Sequence, residues 1–190
     1  KRIIVDRAVY DEFLVEFKDA IESIKVGDPL ADDTFMGPIS SKSALETLDA
    51  QVCDAISQGA KLVTGGHRPE REGEWYAPTL ITGVTSEMRI FREEIFGPVA
   101  VVYQVEDEDE AVKLANDSDY GLGAVIQSTD LERAKSLSTK LETGMVYINE
   151  MPGSVAELPF GGVKRSGFGR ELGRYGMEEF VNRKLILCSI

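Results

Sequence analysis

The stretch PVAVVY, residues 98–103, is a continuous run of apolar side chains. A strand with one face in water alternates polar and apolar residues, whereas an unbroken apolar run is typical of a strand covered on both faces. Around this run, short strands alternate with helical patterns at the spacing of right-handed crossovers. The sequence therefore predicts an α/β fold, with an open, mainly parallel sheet, helices on both of its faces and three layers.

The other elements are predicted from periodicity, caps and turn residues. Ser40 or Ser41 is expected to cap a helix that ends at Gly59. The inward stripe of this helix is predicted to consist of Leu45, Leu48, Val52 and Ile56. Strands are also predicted at residues 2–5, 61–64, 79–82, 123–127 and 144–149, helices at 8–25, 107–118, 130–141 and 170–180, and an extended segment at 184–190.

Charge and composition exclude several classes of function. The net charge is −12 over 190 residues, and a nucleic acid or an anionic membrane would need a positive field instead. No apolar run approaches the roughly 20 residues that span a bilayer. Two cysteines and one histidine make a poor zinc set, so no metal site is predicted. A cytoplasmic enzyme or binding protein is the expectation that remains.

The segment LPFGGVKRSGFGRELG, residues 158–173, combines glycines with basic groups. Its last glycine comes one position late for the dinucleotide fingerprint, and no Gly-Lys-Ser/Thr ends it as in a phosphate-binding loop. A rigid loop that lines a pocket is therefore predicted. Phe168 is expected to be a core residue, whereas Phe160, between Pro159 and a glycine pair, suits a presented wall residue.

REEIFGP, residues 92–98, places two carboxylates just ahead of the apolar strand. The pair is either a solvated turn or an acceptor for the hydroxyl groups of a diol, as acidic residues are for a nucleotide ribose. Phe96 would then present a flat face to a ring. Free cysteine is most often a small core residue, so Cys53 and Cys188 are both predicted to be buried, and His67 is predicted to be exposed in a turn.

Taken together and in order, these motifs resemble the aldehyde dehydrogenase superfamily, and the resemblance covers essentially the whole chain. It is carried by EEIFGP (93–98), NDSDYGL (116–122), GxVxIN (144–149) and PFGGxKxSGxGRE (159–171). The resemblance implies a small aldehyde as substrate and NAD or NADP as cofactor. In that family a cysteine attacks the aldehyde, hydride leaves to the nicotinamide, and water releases the acid.

The resemblance also assigns roles to individual residues. Glu94 is similar to the glutamate that hydrogen-bonds the nicotinamide ribose, and Phe96 to the aromatic residue beside it. Phe160 resembles a wall of the aldehyde tunnel. Glu171 resembles an acid that relays protons from the general base, and its alternative role is to cap the following helix.

The chain departs from the family pattern at its start. The family's nucleophile lies in a Gly-Gln-x-Cys segment just before the position of Lys1, and its general base and cofactor domain lie further upstream. The expectation is therefore a fragment: residues 1–180 as a truncated catalytic domain and residues 181–190 as a strand that joins subunits of a homodimer or homotetramer. Alone it should oxidise no aldehyde, because the thiolate is absent.

The substrate class is inferred from the same resemblance. Residues 162–172 and 179–182 look most like bacterial succinate-semialdehyde dehydrogenases, in which a serine before the Pro-Phe-Gly-Gly motif contacts the distal carboxylate; Ser154 is the candidate. A broad-specificity or betaine-type aldehyde dehydrogenase is one alternative. Another is a binding or assembly module that has the fold without the chemistry.

Overall fold

The computed structural model describes residues 1–189 and divides the chain into two compact units. The first unit is Lys1–Ala111, and the second begins at Val112, inside a helix. The prediction of one catalytic domain over residues 1–180 stays a prediction. No helix within residues 1–189 is long and apolar enough to cross a membrane.

The first unit is built on a four-stranded sheet in the order β1-β4-β3-β2. Its strands are β1 (Ile3–Asp6), β2 (Lys61–Thr64), β3 (Thr79–Thr82) and β4 (Val99–Val105). The inner strand β4 is parallel to both β1 and β3, and β2 is antiparallel to β3. Val101, Val102 and Tyr103 are buried, which confirms that the apolar run is a strand covered on both faces.

Helices cover both faces of this sheet. Helix α1 (Tyr10–Glu22) packs its apolar residues on a core that contains Val102. Successive strand residues point to opposite faces, so Tyr103 faces the other side. On that side lies the short helix α3 (Arg89–Arg92), whose Phe91 ring meets the Tyr103 ring edge-on, with 6.0 Å between the ring centroids. Helix α2 (Lys42–Ser57) packs against α3. The predicted α/β fold class is confirmed.

Helix α2 begins as predicted but is rotated relative to its predicted stripe. The Ser41 hydroxyl accepts a hydrogen bond from the Ala44 N–H at 3.2 Å, so Ser41 is the cap. Ile56 is 36% exposed and its place in the stripe is taken by Ala55, which is fully buried. The helix has turned toward Gln51, a buried polar residue whose amide has partners outside the helix.

The second unit contains two separate strand pairs. Strands β6 (Gly123–Ile126) and β7 (Met145–Ile148) are parallel and are connected through helix α5 (Leu131–Ser138), which packs on β7. Strands β5 (Tyr120–Gly121) and β8 (Val163–Lys164) are antiparallel. Helix α4 (Glu108–Asn116) crosses the boundary between the units, and α6 (Gly173–Glu178) is the last helix of the described chain.

The end of the chain has no strand partner within the described residues. Residues 182–189 are exposed and carry no strand, although an extended segment was predicted over 184–190; residue 190 lies outside the described residues. A single strand has hydrogen-bonding groups on both edges and needs a partner strand to satisfy them. The proposed role of residues 181–190 in joining subunits stays a prediction.

Candidate functional site

The glycine-rich segment is closed at its base by a backbone bridge between two of the predicted site residues. The Phe160 N–H donates to the Glu171 carbonyl oxygen at 2.8 Å, and the Glu171 N–H donates to the Phe160 carbonyl oxygen at 2.7 Å. Residues that are far apart along the loop thus become direct neighbours. The predicted wall residue and the predicted proton-relay residue lie side by side.

The basic side chains of this loop bind within the second unit. Arg170 donates from Nη1 to the carbonyl oxygens of Gly162, at 2.9 Å, and Gly169, at 2.6 Å. Lys164 donates to two main-chain carbonyls and forms an ion pair with Glu142, and Arg165 pairs with Asp119 at 3.2 Å. These cations already have partners within the unit, and the absence of a phosphate cradle stays a prediction.

The glycines allow main-chain segments to approach more closely than any side chain permits. A methyl group at Gly144 would lie 1.9 Å from the Gly161 carbonyl oxygen, and one at Gly121 would lie 2.4 Å from the Glu142 carbonyl oxygen. Separations below 3 Å are not sterically possible for a carbon atom. At Gly144, backbone therefore packs directly on the backbone of the loop, with no side chain between.

The two phenylalanines of the loop have opposite environments. Phe160 is half-buried, and its role as a wall residue stays a prediction; Phe168 is fully exposed, so its prediction as a core residue is wrong. Gly167 and Gly169 on either side of it have φ values of 105° and 83°. This left-handed backbone, which glycine adopts freely, turns the Phe168 side chain outward.

The Glu171 side chain is exposed and does not cap the helix that follows it. Helix α6 begins only at Gly173, its N-cap residue is Leu172 with φ of 61°, and no side chain hydrogen-bonds its first amides. The alternative role of Glu171 as a helix cap is therefore wrong. The helix starts later than the predicted residue 170 because residue 171 is held in the bridge to Phe160.

The two adjacent glutamates ahead of β4 differ in their partners. The Glu93 carboxylate accepts from Arg89 Nε at 2.7 Å and from Gln51 Nε2 at 3.0 Å. These hydrogen bonds hold the pKa of the Glu93 carboxyl below its usual value. Gln51 also reaches the Glu94 main-chain oxygen, at 3.3 Å. The Glu94 carboxylate is exposed and accepts no hydrogen bond from residues 1–189, so of the pair only Glu93 has hydrogen-bond partners within the described chain.

Phe96 is exposed beside Glu94, with 75% of its surface accessible. The next residue, Gly97, packs directly on α2, where a methyl group would lie 2.5 Å from Leu48 Cδ2. The backbone therefore lies against the helix at Gly97. The large Phe96 side chain is left in solvent on the same short segment as the Glu94 carboxylate.

Ser154 is exposed in the segment that leaves β7. Asn149 starts this segment in the left-handed region, with φ of 53°. Its Oδ1 accepts from the Ser128 N–H at 2.8 Å, and its Nδ2 donates to the Ser128 carbonyl at 2.7 Å. The amide side chain thus extends the hydrogen bonding of the β6–β7 pair beyond the end of β7. This role of Asn149 was not predicted, although asparagine directly after a strand is a known signal for a left-handed residue.

The predictions for the cysteines are wrong, and the one for His67 is confirmed. Cys53 and Cys188 are both exposed, and so is His67. Cys53 lies on the outer side of α2, away from the rotated stripe, and Cys188 lies in the segment without strand partners. No cluster of three or more histidine, cysteine or acidic residues in the described part of the chain could hold a metal ion.

The candidate residues thus form two groups, one in each unit. The first group is Glu94 and Phe96 on the segment ahead of β4, and the second is Phe160 with Glu171 at the base of the glycine loop, with Ser154 in the preceding segment. The first group offers a carboxylate acceptor and a ring. The second offers an apolar wall next to a carboxylate.

Comparison with known sequences gives one family. The model of the aldehyde dehydrogenase family matches residues 1–186. An NADP(+) succinate-semialdehyde dehydrogenase of Deinococcus radiodurans is 54% identical over 98% of this chain and 39% of its own length. A peroxisomal aminoaldehyde dehydrogenase of Pisum sativum is 44% identical over 97% of this chain and 37% of its own length. The chain spans about two fifths of the length of the curated relatives it matches.

Solved structures of similar proteins have the same fold. Succinic semialdehyde dehydrogenase from Streptococcus pyogenes, in complex with NADP+, is 44% identical with a TM-score of 0.94, over 99% of this chain and 41% of that one. Betaine aldehyde dehydrogenase from Staphylococcus aureus, in complex with NAD+, is 40% identical with a TM-score of 0.89, over 94% of this chain and 36% of that one.

Proposed function

The chain belongs to the aldehyde dehydrogenase family, and we propose that it forms most of the catalytic domain of an NAD(P)+-dependent enzyme that oxidises succinate semialdehyde to the acid. Because the chain spans about two fifths of its relatives, the activity is proposed for the full-length protein that carries it. We also propose that this full-length protein is a soluble, cytoplasmic homo-oligomer.

The availability of Glu94 carries the cofactor part of this proposal. Of the two adjacent carboxylates, Glu93 is held by Arg89 and Gln51, while Glu94 is exposed and accepts no hydrogen bond within residues 1–189. A free carboxylate can accept hydrogen bonds from both hydroxyl groups of a ribose. Glu94 would hold the nicotinamide ribose, Phe96 would offer its face beside it, and the bound NAD(P)+ supplies the acceptor for hydride.

The glycine loop carries the substrate part. Phe160 would line the aldehyde tunnel, with its main chain fixed by the bridge to Glu171. The exposed Glu171 carboxylate next to it would take up and pass on protons from a general base elsewhere in the protein. Ser154 would donate a hydrogen bond to the distal carboxylate of the substrate at the mouth of the tunnel.

Replacing Glu94 by glutamine in the full-length enzyme is expected to raise the KM for the cofactor about tenfold, because a neutral acceptor binds the ribose hydroxyls more weakly than a carboxylate. Steady-state kinetics with the cofactor varied measures this. Glu93→Gln is the matched control. It removes the same charge one residue away, from a side chain already bound to Arg89, and should leave that KM within about twofold. Equal effects of the two substitutions would contradict the assignment.

A comparison of aldehydes tests the proposed substrate. With the full-length enzyme, kcat/KM for succinate semialdehyde should exceed that for propanal by at least about tenfold, since only the former has a carboxylate to bind. Betaine aldehyde is the third arm. A higher kcat/KM for betaine aldehyde than for succinate semialdehyde would favour the betaine-type alternative, which the 40% identity to the Staphylococcus aureus enzyme supports. Oxidation of none of the three would favour the non-catalytic module.

A further inference from the structure

Lys164 lies in the glycine loop, and its ammonium donates two hydrogen bonds and forms an ion pair inside the second unit. An ammonium group has three N–H donors and no acceptor. Here Nζ lies 2.8 Å from the Asn116 carbonyl oxygen, 3.0 Å from the Ser118 carbonyl oxygen and 2.6 Å from Glu142 Oε2. The ammonium therefore has two main-chain carbonyls and one carboxylate as partners; its side chain is 26% accessible, although the residue as a whole is exposed.

The backbone of Lys164 is also held in an unfavourable conformation. Its φ is 55°, in the left-handed region that residues with a side chain rarely adopt. At the same time Lys164 pairs with Tyr120 in the β5–β8 ladder, so the ammonium and the main chain bind the same neighbouring segment, residues 116–121. Strained residues persist where the surroundings over-determine them, and such places cluster at functional sites.

The segment held by Lys164 is in close contact with the backbone next to Phe160. The Gly121 N–H donates to Ser166 Oγ at 3.1 Å, and the Gly121 carbonyl accepts from the Gly144 N–H at 3.0 Å. A methyl group at Gly162 would lie 3.2 Å from the Gly121 oxygen, and one at Gly144 would lie 1.9 Å from the Gly161 oxygen. A shift of segment 116–121 would therefore be passed to residues 161 and 162, directly after Phe160.

We propose that Lys164 is a positioning residue for the aldehyde site. Its ammonium fixes segment 116–121, and that segment, through Gly121 and Gly144, fixes the main chain that carries Phe160. The inference rests on the proposed function, in which Phe160 is a wall of the aldehyde tunnel. It adds a residue that acts on the substrate through packed backbone, without contact.

Lys164→Met, studied in the full-length enzyme, tests the proposal, because methionine keeps the length of the side chain and removes all three donors. Lys135→Met is the matched control: the same ammonium is lost, from an exposed ion pair with Glu132 that lies outside segment 116–121. Amide hydrogen exchange at Phe160, Glu171 and Gly144 should become at least about tenfold faster in Lys164→Met only. The KM for the aldehyde should rise about tenfold while kcat stays within about twofold, since a wall residue is displaced but the reacting groups are not.

Exchange and kinetics together distinguish a positioning role of Lys164 from a purely structural one. Unchanged exchange at the three amides would overturn the proposal whatever the kinetics. Faster exchange with an unchanged KM would mean a purely structural role and would overturn it too. If Lys164→Met does not fold, Glu142→Gln, which weakens one of the three contacts, should show a smaller change of both quantities in the same direction, and no change would count against the proposal. Absence of aldehyde oxidation by the wild-type enzyme would overturn the proposed function, while the exchange result would still report on the contacts of Lys164.

Discussion

Gly144→Ala is expected to destabilise the second unit by about 3 kcal/mol, at the upper end of the cost of overpacking a closed site. A methyl group at this position would lie 1.9 Å from the Gly161 carbonyl oxygen and 2.7 Å from Gly162 Cα. Both neighbours are main chain of the glycine loop, so neither can move aside as a flexible side chain would. The free energy of unfolding, from chemical denaturation of the 190-residue chain, measures the effect.

Gly153→Ala is the matched control for this substitution. A methyl group there would have no atom within 4 Å, and Gly153 is not among the glycines with positive φ. The substitution should change the free energy of unfolding by less than about 0.5 kcal/mol. Similar denaturation midpoints for the two variants would contradict the close backbone contact between Gly144 and the loop.

The second large effect is a complete loss: the 190-residue chain by itself should produce no NADH or NADPH from any aldehyde. Without a thiolate in the site there is no covalent intermediate and no hydride to transfer. The Gly-Gln-x-Cys segment is absent from the sequence, and the nearest pattern, residues 51–53, lies in α2. There Gln51 is bound to the Glu93–Glu94 segment and Cys53 is exposed on a helix surface.

The absence of turnover is measured by the absorbance of the reduced nicotinamide at high concentration of the 190-residue chain. The full-length enzyme is the positive control. Substituting Cys53 and Cys188 by alanine in the full-length enzyme should leave kcat/KM within about twofold, because neither residue is the proposed nucleophile. Turnover by the chain alone, above a buffer blank, would refute the assignment of its residues. So would loss of activity in either cysteine variant.

Several features of the fold follow from local sequence signals. The run PVAVVY predicts a strand covered on both faces, and β4 is an inner strand with helices on both sides. Ser41 caps α2 as predicted, because the hydroxyl and the amide that it accepts from are only three residues apart. Such structural features can be predicted because the residues that cause them are close together in the sequence.

Local periodicity was insufficient where a distant partner decides orientation. The spacing of apolar residues predicted Ile56 in the stripe of α2, but the helix is turned toward Gln51. The partners of Gln51, Glu93 and Glu94, lie 42 and 43 residues further along the chain. Phe168 and the two cysteines were misassigned because residue type gives only an average preference for burial; at Phe168 the flanking glycines turn the side chain outward, and Cys53 lies outside the buried face of α2.

The sequence by itself determined the α/β class, the order of most elements, the family motifs and the candidate residues. Only the tertiary structure decided which glutamate of the pair is hydrogen-bonded within the chain and where the basic groups of the glycine loop bind. Lys164 reaches its carbonyl partners across 46 and 48 residues of sequence. Contacts over such separations depend on how whole strands and loops pack, and a residue's type and its near neighbours do not specify them.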